Sequence, residues 1–81
     1  MVSYGKLLGK IKENGFTQEQ LANLIGMTPG TMSLKLNNQA YFKQKEIIAI
    51  SDALGIPYSD IGEYFFTREV RKNTNDETTD V

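Results

Sequence analysis

The chain contains no cysteine and no histidine. Without cysteine there is no disulfide framework and no thiolate metal site. Without histidine it lacks the commonest general base and the commonest zinc ligand. No apolar stretch approaches the roughly 18 residues that a membrane span needs. The opening "MVSYGKLLGKIK" sets lysines among apolar residues, with no long hydrophobic run leading to a small-residue cleavage site, so no signal peptide is read. Carboxylates are scattered, and neither a phosphate-cradling glycine loop nor a nucleophile–base pair appears. These absences leave a small intracellular binding domain, not an enzyme, with no metal and no cofactor expected.

Eighty-one residues make one domain. A chain of this size buries only about 60% of its unfolded surface, so modest stability is expected. The net charge of -1 hides a segregation. Residues 1–46 carry six lysines against three glutamates, a net +3. Residues 47–66 carry three acids and no base, and the remainder nets -1. Where an anion docks depends more on this segregation than on the sum. Small proteins also scatter charge unevenly by chance, so charge alone does not decide for nucleic acid.

Apolar spacing predicts helices throughout. Tyr4, Leu7, Leu8 and Ile11 share one face, and Asn14-Gly15 stops that helix. Thr17 and Gln20 form a capping box for a second helix with Leu21, Leu24 and Ile25 as its buried stripe. Gly26 ends it. Thr28 caps a third helix through Leu36, with Pro29 at its first position. Met32 and Leu36 face the core there, and Leu34, about 200° away, faces out. A fourth helix runs from about Lys43 to Leu54, with Ile47, Ile50 and Leu54 on one side, Ile48 beside them and a poor cap at Lys43. Gly55 closes it. A fifth runs through Ile61, Tyr64 and Phe65, capped by Ser59 or Asp60. From residue 67 the chain turns polar, and at least residues 73–81 bury too little to order themselves. The expected organisation is an all-α domain of five helices over residues 1–66, then a flexible C-terminal tail, 67–81.

The second and third helices are joined by a short turn around Gly26-Met27-Thr28, which describes a helix-turn-helix. The stretch "TQEQLANLIGMTPGTMSLKLNNQAYFKQKEIIAISDALGIPYSDI" resembles that of the lambda-repressor-like superfamily, the Cro- and CI-type regulators. The resemblance rests on Gln18, Leu21-Ala22, Gly26, Thr28, Thr31-Met32-Ser33 and the closing "ALGI", and covers about residues 4–66. The wording "KLLGKIKENG…GTMSLKLNN…IGEYFF" is also similar to short Cro-like phage proteins.

The resemblance implies a lambda-repressor-like domain whose third helix enters the major groove of an operator. Pro29, Gly30, Ser33 and Leu34 would face the bases, beside Thr28 and Thr31. Gln18, Asn37 and Asn38 would meet phosphate, with Lys35 and Lys43 adding charge, Lys35 with its stem against the core and its ammonium free. Phosphate contacts position a protein but carry no sequence information. Related readers often place glutamine or arginine where this chain has Pro29, Gly30 and Leu34, so hydrogen-bonded readout is thin. Ser33 can bond to a base, and Leu34 can pack on a thymine methyl. The plain alternatives are that Leu34 touches a partner protein or is a lone exposed leucine, and that Gln18 only caps its helix. Lys6, Lys10 and Lys12 read as a solvated face.

The implied function is a phage-type regulator that occupies double-stranded operator DNA in the bacterial cytoplasm, at the nucleoid and away from membranes. Three consecutive aromatics, Tyr64, Phe65 and Phe66, cannot all face one core. Two are expected to close it. The surface a Cro-like homodimer would need is assigned to Phe65, Phe66 and Val70. The rival reading is a helix-turn-helix modulator that binds a partner repressor protein instead of DNA. Overall acidity, the weak base-reading helix and the exposed aromatics favour it, while the basic first half and the intact turn favour DNA.

Overall fold

The computed structural model describes residues 2–68. Helix α1 spans Gly5–Glu13, α2 Gln18–Leu24, α3 Pro29–Leu36, α4 Gln44–Leu54 and α5 Ile61–Phe65, with a 3-10 turn at Tyr58–Asp60 before α5. The fold is all-helical, as the spacing predicts. A lone antiparallel bridge pairs Val2 with Arg68. The tail from residue 69, including the predicted mobile segment and Val70, lies outside the described residues.

Local chemistry accounts for most boundaries. Asn14 donates its side-chain amide to the Lys10 carbonyl (2.9 Å), and Gly15, at φ 81°, turns the chain out of α1. The Thr17–Gln20 capping box is complete: each side chain bonds the other residue's backbone amide, at 3.0 and 2.9 Å. Thr28 accepts from the Thr31 amide at 3.2 Å. Helix α4 begins without a hydroxyl or carboxylate cap. Instead Glu46, in its first turn, accepts from the Lys43 amide at 2.8 Å. Neither Ser59 nor Asp60 caps α5, because the 3-10 turn runs straight into that helix and leaves no break for a side chain to fill.

The core gathers Leu7, Leu21, Met32, Ile50 and Phe65, all fully buried. Phe42, in the loop between α3 and α4, stacks edge-on against Tyr4 and Phe65, with ring centroids 5.5 Å apart in both pairs. That chain of rings ties the start of α1 to α5, a geometry worth about 1 kcal/mol per pair beyond area burial. Two predicted core residues are on the surface. Leu24 is 59% exposed, since α3 covers the side of α2 formed by Leu21, Ala22 and Ile25, and Leu24 lies roughly 100° round from its centre. Leu8 sits at the flank of the α1 stripe for the same angular reason and is also exposed. Ile48 is exposed at the edge of the α4 stripe.

Candidate functional site

Helices α2 and α3 pack across the turn at Gly26, whose φ of 81° suits glycine. The outward side of α3 is small and uncharged. Pro29 and Gly30 are exposed, Ser33 and Thr31 half-buried, and Leu34 is 47% exposed and turned away from the core as its spacing predicts. Thr28 is committed to the cap and also donates its hydroxyl to that of Thr31 (2.9 Å). Gln18, first residue of α2, is exposed, and so is Lys43 just before α4.

Three residues assigned to phosphate, Lys35, Asn37 and Asn38, are engaged within the protein. Lys35 is only 6% exposed, and its ammonium donates to Glu46 at 2.5 Å. Its stem lies against the core as expected, but the charge is not free. The N-terminal turn of α4 covers that side of α3 and supplies the carboxylate. Burial opposes ionisation of Glu46. The Lys35 ammonium, the Lys43 amide and the two lysine charges outweigh it and hold the carboxyl below its ordinary range. Asn38, at φ 65°, clamps the N-terminal segment: its side-chain amide donates to the Val2 carbonyl (2.8 Å) and its carbonyl oxygen accepts from the Val2 amide (3.2 Å). Asn37 turns back to donate to the Ser33 carbonyl at 2.8 Å. Asn38→Ala should therefore lower stability by about 1–2 kcal/mol, losing two bonds and putting alanine at a positive φ that asparagine tolerates better. Asn38→Gly should lose less. Equal urea midpoints for Asn38→Ala and the parent chain would return Asn38 to the surface role.

The basic half of the sequence is also less basic in three dimensions. Lys6 pairs with Glu63 of α5 and lies 5.2 Å from the Tyr64 ring centre, and Lys10 approaches Glu13 at 3.8 Å. With Lys35 held by Glu46, Lys12, Lys43 and Lys45 are the lysines among the described residues that form no ion pair. Phe65, assigned to a dimer surface, is 1% exposed and belongs to the core, while Phe66 is 60% exposed. Successive residues on a short helix point about 100° apart, so only one of them can follow Ile61 and Tyr64 inward.

Sequence reasoning missed a second surface. Phe42, Ile47, Ile48, Tyr58, Ile61 and Phe66, together with Gln44, line an open groove of about 500 Å³ between α4 and α5. Only the run of aromatics at 64–66 hinted at it. Among the described residues no helix is long and apolar enough to cross a membrane.

Comparison with known proteins bears on this arrangement. The family described as "Protein of unknown function (DUF739)" matches residues 1–68. The chain belongs to this DUF739 family. No curated protein matches it. A solved relative is the modulator of repression (MOR) of the temperate bacteriophage TP901-1 from Lactococcus lactis, known as a solution structure. It shares 38% identity and a TM-score of 0.71, over 86% of this chain and 95% of that one. The DUF739 chain thus has the fold of a small phage regulator. Its expected place among Cro- and CI-type regulators is met only at that coarser level.

Proposed function

We propose that this DUF739 chain is a modulator of repression that binds a repressor protein, the rival reading above, and does so without catalysis or cofactor. The likeness to MOR over 86% of this chain carries the proposal. The geometry supports it. The outward face of α3 offers no side chain able to make a bidentate contact to a base. Half of the six lysines in the basic stretch are paired within the protein. Such a modulator works where the repressor works, in the bacterial cytoplasm.

The experiment mixes the purified chain with the repressor encoded in the same genome, follows complex formation by calorimetry, and follows repressor binding to its operator by gel shift. A stoichiometric complex and an altered repressor shift are expected, with no shift from the chain alone. The exposed Gln18 and the unpaired Lys43 and Lys45 near α3 favour a second reading, Cro-like operator occupancy. On that reading the chain alone shifts the DNA. With about three lysines on phosphate, log K then falls with log salt at a slope near -3 per protomer. That result, without a repressor complex, would replace the first reading with the second.

A further inference from the structure

Acids stand beside the apolar groove where it is formed by Tyr58 and Ile61. Five of the seven residues lining it come from positions 47–66, a stretch with three acids and no lysine or arginine, and the other two are Phe42 and Gln44. Asp52 stands at its edge, accepting from the Tyr58 hydroxyl at 3.1 Å. Asp60 directly precedes the lining residue Ile61. The third acid, Glu63, is taken up by Lys6. Past Phe42, Ile47 and Phe66 the groove continues into a narrower cleft of about 170 Å³ bounded by Val2 and Tyr41. Exposed apolar surface of this kind, gathered in one concavity with acids beside it, marks a docking site more often than chance exposure does.

Three occupants can be weighed on chemistry. A second copy would set this face against itself across a two-fold axis, and Asp52 and Asp60 would meet like charges. The chain's own residues 69–81 carry four acids against two bases and only two valines, the wrong charge and too little apolar area. The remaining occupant is an amphipathic helix whose apolar side fills the groove and whose flanks carry lysine or arginine.

We infer that the α4–α5 groove, lined by Phe42, Ile48, Tyr58, Ile61 and Phe66 and edged by Asp52 and Asp60, is the docking site for a basic amphipathic helix of a partner protein. The inference deepens the protein-binding reading above and rests on it. Anchors at i, i+4 and i+7 would follow the groove, with Phe66 as the central contact. The small cleft beside Val2 would take the last of them.

The probe is a synthetic peptide of about 15 residues, leucine and phenylalanine on one helical face and lysine elsewhere, with a twin carrying glutamate for lysine. Both are titrated into the isotope-labelled full chain and followed by amide chemical shifts. The lysine peptide should move Phe42, Ile48, Ile61 and Phe66. Phe66→Ser, at an exposed position that the fold does not need, should weaken it about ten-fold or more. Asp60→Lys should weaken the lysine peptide and strengthen the glutamate twin. The inference is overturned if the twin binds the parent chain equally well, if shifts fall elsewhere or are absent, or if the groove amides move with the chain's own concentration and no peptide. A repressor that binds but leaves these amides unmoved would sink the groove and keep the modulator reading. A lysine peptide seated in the groove, with no repressor complex, would do the reverse.

Discussion

Phe65→Ala should lower the melting temperature by more than about 10 °C, while Phe66→Ala should leave the melting curve nearly unchanged. The two residues are neighbours of the same type, and the difference is environment. Phe65 is 1% exposed, stacks edge-on against Phe42, and through it reaches Tyr4. Deleting a ring from such a site costs about 3–5 kcal/mol, because contacts vanish and the neighbours close the cavity only in part. A domain of this length has a total stability on the order of 4–12 kcal/mol, so the loss takes a large share of it. Phe66 keeps most of its surface in water and has little burial to lose. Thermal unfolding followed by circular dichroism separates the two variants. Similar melting temperatures for both would mean that Phe65 does not hold α5 to the core.

Glu46→Ala should cost about 3 kcal/mol near neutral pH, an unusual size for a charged residue in a helix's first turn. The change strands the Lys35 ammonium, 6% exposed, with no carboxylate, and removes the acceptor for the Lys43 amide. Lys35→Met should cost less, since a methionine stem fills the same space and Glu46, partly open to solvent, can hydrate. The effect should also depend on pH with a definite sign. Folding holds the Glu46 carboxyl below its ordinary range, so the native state binds that proton less readily than the unfolded chain. Its contribution is complete above the unfolded value of about 4.3 and fades as pH falls through the lower folded value. The gap between parent chain and Glu46→Gln should therefore be widest near pH 6–7 and shrink below about pH 4. A gap that stays constant from pH 7 to pH 3, read from urea midpoints, would show that the carboxylate charge contributes nothing.

Helix positions were legible because their determinants are local. Thr17 with Gln20, Thr28 with Pro29, and the glycines at 15, 26 and 55 act within a few residues of where they stand. The inward face of α3 and the outward direction of Leu34 followed from angular spacing alone. The coarse function was legible too, in the turn around Gly26 and its flanking helices, which are similar to a phage regulator's. The tertiary structure decided what each polar side chain is used for. Lys35 and Glu46 are eleven positions apart, Asn38 and Val2 thirty-six, and Lys6 and Glu63 fifty-seven. No periodicity encodes such pairs, because they form only when separate helices pack. The same packing took Leu24 out of the core, drew Phe42 into the ring stack, and left Phe66 outside to line a groove between α4 and α5. A sequence specifies its helices through neighbours along the chain, whereas a surface exists only once residues distant along the chain share it.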